Sequence, residues 1–315
     1  MTTEIRQRKK TSEPSTPKLV RTYVVDGPTT ERPATQGWVS SMVAGVTLLI
    51  FGIAGHLSTF ILPVLCLITR SYYVIGFTVA LWLTALLPAQ RRWNAFLDSY
   101  VMKTWRHYFE FSYVTLQELD TSRRYVFGES PHGVFPIGPV LAGTVVNLCF
   151  PGMVVKAVSA SNVFKVPILK HFMSWLGAAP ATRKNFQLML KEDCVAVVVG
   201  GLMEMYMQEP DRERLKLKSR KGFVKIALEQ GADLVPIYHF GNTKIMDIIG
   251  KSLMNISRKL RASFLFPYAR FGLPLARRVP IMSECARVVC WLISAACSQV
   301  YPIQFPPIVR SPCVL

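Results

Sequence analysis

Polar and apolar positions divide the chain into four stretches. Residues 1–37 are polar, with Pro14, Pro17, Pro28 and Pro33 scattered among Ser, Thr and charges, which is the composition of a disordered leader. No short apolar core near Met1 marks a secretory signal. From Trp38 to Thr69 there is no Lys, Arg, Asp or Glu, and after Arg70 the run from Ser71 to Gln90 is uncharged again. At about 1.5 Å per residue the first run alone extends roughly 48 Å, more than one crossing of a hydrocarbon core of about 30 Å needs. Residues 38–90 therefore predict a transmembrane helical hairpin, with Pro63 and Arg70 near its turn. Lys and Arg flank it on both sides, with Arg6, Arg8, Lys9 and Lys10 before it and Arg91, Arg92, Lys103 and Arg106 after it, so both ends belong in the cytoplasm. Trp38, Trp82 and Trp93 suit the two interfaces.

Residues 91–281 change register. Trp93 to Tyr113 mixes aromatics with Lys and Arg, as in a helix lying along a bilayer surface. Beyond it, β-rich runs (124–128, 153–158, 195–200, 234–240 and 263–268) alternate with helical ones (163–176, 182–192 and 221–230). Gly231 supplies a stop for the last helix, and Val195 to Val199 is continuously apolar, as in a strand buried on both faces. The fold class is α/β: a transmembrane hairpin followed by an α/β domain. Residues 282–315 form an atypical tail.

Composition sharpens this. Of 315 residues 18% are charged and 50% hydrophobic, with a mean hydropathy of +0.28, against about 25% charged in a soluble domain. The net charge of +18 admits nucleic acid, an anionic membrane surface or phosphorylated ligands. Without a zinc-finger spacing, an RNA-binding aromatic signature or an Arg-rich arm, nucleic acid is set aside in favour of lipid headgroups and phosphate-bearing ligands. The seven cysteines are odd in number and include no C-x-x-C pair, which fits a reducing compartment and no metal site.

Three constellations could carry chemistry. In Phe127-Gly128-Glu129-Ser130-Pro131-His132-Gly133, directly after a strand, the histidine sits on a restricted backbone with little bulk after it. An imidazole there can take a proton near neutral pH, and the Gly133 N–H can face a ligand oxygen; a turn histidine without a role is the plainer alternative. Gly200-Gly201-Leu202-Met203-Glu204 ends the apolar strand: paired glycines permit close approach of a ligand to the backbone, and Glu204 falls where active-site carboxylates often sit, although a surface turn with a solvated glutamate is the better reading of this segment taken alone. Arg220-Lys221-Gly222 opens a helix against its dipole, so a ligand phosphate would account for the two cations, as would a solvated basic face; Arg183 and Lys184 invite the same argument with less force.

Together with Arg220-Lys221-Gly222-Phe223-Val224-Lys225 and Gly231-Ala232-Asp233-Leu234-Val235-Pro236-Ile237-Tyr238-His239-Phe240-Gly241, these motifs resemble, in order, the diacylglycerol O-acyltransferase type 2 family, which includes monoacylglycerol and wax-alcohol acyltransferases. The resemblance runs from about Trp38 to Ile281 and is nearest the algal and plant branch, because Ser130 stands where animal members carry the first histidine of His-Pro-His-Gly. It implies a glycerolipid-acyltransferase-like domain in the endoplasmic-reticulum membrane, with an association with lipid droplets, making triacylglycerol from acyl-CoA and diacylglycerol. By that resemblance His132 is the general base, Glu204 belongs to the catalytic or acceptor pocket, and Ser130, Pro131, Gly133, Gly200, Gly201 and Gly222 line the substrate site. Arg183, Arg220 and Lys221 are candidates for the CoA phosphates. Acyl-CoA is a co-substrate and no cofactor is required; the other expected partners are diacylglycerol and membrane lipids, with room for a homo-oligomer.

Related glycerolipid acyltransferases place an aspartate five positions after the histidine, where this chain has Ile137, so something else must orient His132. After Ile281 the family pattern calls for a strand and a charged amphipathic helix, whereas this tail holds Cys285, Cys290, Cys297 and Cys313 and one acidic residue, Glu284; a shifted reading frame or retained intron is the expectation this raises. Monoacylglycerol or long-chain-alcohol transfer, and an inactive membrane-anchored relative, are the competing readings.

Overall fold

A computed structural model describes residues 21–24, 37–88, 92–115, 118–209, 212–260 and 266–285. The leader outside Arg21–Val24 and the tail beyond Cys285 lie outside the described residues. Among the described residues, ten strands and eleven α-helices follow in order: β1 (Arg21–Val24), α1 (Trp38–His56), α2 (Leu62–Thr69), α3 (Tyr72–Thr84), α4 (Asn94–Leu97), α5 (Tyr100–Tyr108), β2 (Ser112–Thr115), β3 (Tyr125–Ser130), α6 (Ile137–Cys149) and β4 (Val155–Ser159). Then come α7 (Leu169–Trp175), β5 (Ala178–Pro180), α8 (Arg183–Glu192), β6 (Cys194–Val198), α9 (Leu202–Met207), α10 (Gly222–Gln230), β7 (Asp233–Phe240), β8 (Asp247–Ile249), α11 (Met254–Leu260), β9 (Phe266–Tyr268) and β10 (Met282–Cys285).

Eight strands form one sheet in the order β1-β2-β10-β7-β3-β6-β4-β5, and β8 and β9 pair apart from it. The centre, β7-β3-β6-β4-β5, is parallel throughout. All six residues of β3, Glu129 and Ser130 included, are buried, as a central strand covered on both faces requires. Apolar faces cover the sheet from both sides: α6 contributes Ile137, Leu141 and Val145 to the main core, while α8 and α10 bring Phe186, Leu190, Ile226 and Ala227 against Val126 and Val195. Thr182 caps α8, its Oγ1 accepting from Asn185 N–H at 3.2 Å, and Gly231 ends α10 in the left-handed conformation.

The structure departs from expectation in four places. The apolar run Trp38–Thr69 is one continuous helix of 32 residues, long and apolar enough to cross a membrane. Pro63 lies inside it rather than at a turn; lacking an N–H, it follows a single π turn at Leu57–Ile61, where the ladder widens. The reversal comes at Arg70, which takes a left-handed C-cap. Beyond it α3, of 13 residues, packs back on the long helix through Trp82 Nε1–H to Ser58 O at 3.2 Å and a 3.3 Å contact between Cys66 Sγ and Thr78 Oγ1. At about 1.5 Å per residue α3 is shorter than a span requires.

The expected surface helix at 93–113 breaks into α4, α5 and the start of β2. Met102 and Trp105 of α5 are fully buried, and Trp105 Nε1–H donates to Thr47 Oγ1 of α1 at 2.7 Å, so this aromatic face packs on protein. Within the leader, Arg21–Val24 pairs with β2 as strand β1, as its Thr-Tyr-Val run favours. Finally, the domain does not stop at Ile281: β10 inserts between β2 and β7, burying Ser283 and Cys285.

Candidate active site

The carboxyl ends of β3, β6 and β7 converge. Open parallel sheets bind ligands at this edge, because the loops leaving adjacent strands meet there. β3 delivers Pro131, His132 and Gly133; β6 leads through Gly200 and Gly201 into α9 with Glu204; β7 ends at Gly241 and Asn242.

The Glu204 carboxylate is 3% exposed. It accepts the backbone N–H of His132 at 2.5 Å and that of Lys216 at 3.1 Å. Burial pushes this carboxyl above its ordinary range, opposed by those two donors. The paired glycines acquire a specific reason. A Cβ built on Gly200 would stand 1.9 Å from Glu204 Oε2, so what approaches that bare backbone is the chain's own carboxylate. Gly201 turns the chain into α9 with φ 61 and ψ −158, a conformation essentially confined to glycine.

On the other side of His132, Asn242 is 1% exposed. Its Nδ2 donates to the carbonyls of Pro131 at 3.1 Å and His132 at 3.0 Å, and its Oδ1 accepts from Gly138 N–H at 2.9 Å. The backbone of His132 is thus held at both its N–H and its C=O. Gly133 follows at φ +62, and a Cβ there would meet Asn242 Nδ2 at 2.8 Å, so the turn demands glycine on two counts.

The His132 ring is partly buried, and its Nδ1 lies 2.8 Å from the Gly133 carbonyl oxygen. A carbonyl only accepts, so Nδ1 carries the proton and Nε2 presents a lone pair. This answers the vacancy left by Ile137: the orienting acceptor is the next residue's carbonyl. Burial holds the imidazole below its ordinary value, partly offset by that carbonyl.

Of the other expected site residues, Arg220 reaches the region, its Nη2 donating to Gly200 O at 3.3 Å, and Lys221 and Gly222 follow at the start of α10. Arg183 is elsewhere, in an ion pair with Glu229 at 2.6 Å towards the opposite end of α10. There a separate 490 Å³ surface cleft is lined by Arg183, Lys184, Lys191 and Gln230. Ser130 is buried with its hydroxyl unpartnered among the described residues. A narrow cleft beside Gly133 and Glu204 is walled by Arg212, Glu213, Arg214 and Thr243. Glu213 is pinned there by Tyr238 and by Thr243 Oγ1–H at 2.6 Å.

Sequence reasoning missed Asn242 and the carboxylate's hold on the His132 backbone. Asn242 carried one signal, a polar amide directly after the glycine that ends a strand. Below the site the buried His239 shares a 2.8 Å hydrogen bond with Ser283 Oγ, tying β7 to β10.

A half-buried imidazole on a glycine turn at the carboxyl edge of a parallel sheet, its Nε2 without a hydrogen-bond partner among the described residues, stands where a general base can take a proton from a bound group. The family model described as Diacylglycerol acyltransferase matches residues 64–274. The chain belongs to that family. Among curated relatives, Diacylglycerol O-acyltransferase 2 of Homo sapiens is 34% identical over 153 residues, covering 46% of this chain and 39% of its own. That of Danio rerio is 32% identical over 206 residues (60% and 57%), and that of Dictyostelium discoideum 30% over 178 (54% and 54%). The chain thus matches about half the length of these relatives. Among solved structures, the 1-acyl-sn-glycerophosphate acyltransferase PlsC from Thermotoga maritima aligns with a TM-score of 0.35 at 12% identity, over 77% of this chain and 85% of that one, a loose likeness that says nothing of chemistry.

Proposed function

We propose that this protein transfers an acyl chain from acyl-CoA to the free hydroxyl of diacylglycerol, forming triacylglycerol. The observation that carries the reading is the 2.8 Å approach of His132 Nδ1 to the Gly133 carbonyl oxygen: with the proton assigned to Nδ1, Nε2 is the base. The acceptor hydroxyl gives its proton to Nε2 as its oxygen bonds to the thioester carbonyl carbon. The Gly133 N–H, with no acceptor among the described residues, is the first candidate to meet the oxyanion. Collapse breaks the C–S bond, and the imidazolium returns the proton to the departing CoA thiolate. Glu204 and Asn242 hold the His132 backbone in register while the imidazole takes up and returns the proton. Arg220, near Gly200, and Lys221 after it are the candidates for the CoA phosphates; Arg183, engaged with Glu229, has no part in this reading.

The same proposal includes a membrane hairpin within residues 38–90, both chain ends on the cytosolic side, and residence in the endoplasmic-reticulum membrane and on lipid droplets. Support comes from the antiparallel packing of α3 on the long helix and from the exposed apolar side chains along both, such as Leu67 and Phe77.

The test supplies labelled acyl-CoA together with diacylglycerol, monoacylglycerol and a long-chain alcohol to microsomes carrying only this enzyme. Triacylglycerol made directly from the supplied diacylglycerol is the expected main product. A dominant wax ester or diacylglycerol product would reassign the acceptor, and no product would overturn the activity.

A further inference from the structure

Four large apolar side chains stand exposed on the small β8-β9 sheet and the turn after it: Ile249 at 61%, Phe266 at 55%, Phe271 at 87% and Leu273 at 53%. Ile249 and Phe266 are register partners on neighbouring strands, so they share one face. Phe271 does not hang from a loose loop. Its turn is closed by Leu273 N–H to Arg270 O at 3.0 Å, Ala269 N–H to Leu273 O at 2.8 Å and Arg270 N–H to Leu275 O at 3.2 Å. Phe271 itself is held at φ 57, a costly conformation for a bulky residue that persists only where its surroundings enforce it. The fold thus holds an aromatic ring out into solvent.

We infer that this face is a second bilayer contact, seating the α/β domain on a phospholipid surface with Phe271 as its tip. The occupant follows from what adjoins it. The Phe266 ring lies 5.7 Å from the ring of His56, the last residue of α1. From there the long helix goes on apolar and exposed through Ile61, Val64 and Leu67, so a bilayer that receives this part of the helix meets the patch at its base. Charge agrees: the Arg270 guanidinium lies 6.0 Å from the Phe271 ring centre, and Lys251 is exposed beside β8, a pairing of aromatic and basic groups suited to an anionic headgroup region. The patch is also joined to the cleft. Gln208, which lines the cleft beside Gly133 and Glu204, donates from Nε2 to Met246 O at 3.1 Å next to β8 and accepts from Lys251 Nζ at 2.6 Å. On the acyltransferase reading, seating the domain here brings the cleft towards the surface from which a lipid acceptor arrives.

The test uses the full chain reconstituted in phosphatidylcholine–phosphatidylserine vesicles, with photoactivatable benzoylphenylalanine in place of Phe271 or, as a control, of Leu228, an equally apolar residue 75% exposed on α10. Irradiation is expected to give phospholipid adducts at position 271 at least about tenfold above those at 228. Equal adduct yields, or crosslinks at 271 to protein, whether a second copy or another partner, would overturn the proposal. Acyl transfer is assayed on the same vesicles: lipid adducts at 271 without any activity in the native chain would leave the bilayer seat standing and remove the enzymatic reading alone.

Discussion

Replacing Gly200 by alanine isolates the link between the glycine pair and the histidine. Its φ lies outside the left-handed region, so alanine suits the backbone, and the entire perturbation is the new methyl. That methyl would stand 1.9 Å from Glu204 Oε2, 2.2 Å from its Cδ and 2.6 Å from its Cβ. Rotating the carboxylate alone gives no relief, because the stem is too close as well; Glu204 has to move by an ångström or more. It then loses the N–H groups of His132 and Lys216. Hydrogen bonds to a charged group are worth about 1.5–3 kcal/mol each, so the pair sets a cost of about 3–6 kcal/mol, a large share of a domain's usual stability. A displacement of about 1 Å at a catalytic base is also enough for a 10²-fold loss of rate. The assay is thermal unfolding in detergent together with acyl transfer, for Gly200→Ala, Glu204→Ala and the double variant. In the Glu204→Ala background the contacts with Oε2 and Cδ are gone and only the 2.6 Å contact with Cβ remains, with no carboxylate left to displace, so adding Gly200→Ala is expected to cost less than half of what it costs beside the native glutamate. Wild-type behaviour of the single variant, or the same cost in both backgrounds, would refute the reasoning.

Other consequences can be checked separately. Because burial disfavours the charged imidazole, His132 stays a neutral base to lower pH than an exposed histidine would; the acid limb of kcat/KM is expected below about 6.5, and a limb above that value contradicts the environment described. Asn242→Asp keeps an acceptor for Gly138 N–H but turns carboxylate oxygen on the carbonyls of Pro131 and His132; kcat is expected to fall about 10–100-fold with KM little changed, and equal kcat would deprive the asparagine of its positioning role. Burial pushes the thiols of Cys149 and Cys285 up to about 12, so at pH about 8 both should resist alkylation until the chain unfolds, as read by mass spectrometry of each site; labelling of either in the native protein at the unfolded rate would be inconsistent with its place in the core.

Particular residues show how far the sequence could be read. The central parallel strands announced themselves because burial on both faces leaves apolar runs such as Val195 to Val199. The His132 turn was legible from Pro131 and Gly133, whose backbone restrictions act locally. Glu204's role was not, since it grips a backbone N–H 72 positions away and no side-chain pattern records that. α5 misled because Lys and Arg among aromatics suggest a surface, yet Arg106 is buried, with Nη1 donating to Thr144 Oγ1 at 3.0 Å. β10 hid behind Glu284, a charge in a four-residue strand that buries only Ser283 and Cys285. The run without charges after Trp38 looks the same whether lipid or protein covers it, and in α1 Ala44, Leu48 and Ala54 are covered by protein.

The central claim is that His132 is the base of an acyl transfer to diacylglycerol. Its most direct test is triacylglycerol synthesis from acyl-CoA and diacylglycerol in microsomes of cells lacking their own neutral-lipid acyltransferases, comparing the native chain with His132→Ala at matched expression. The expected result is a loss of about 10²–10⁴-fold with the variant still folded, the range removal of a general base gives. Equal rates from the two chains would contradict the claim.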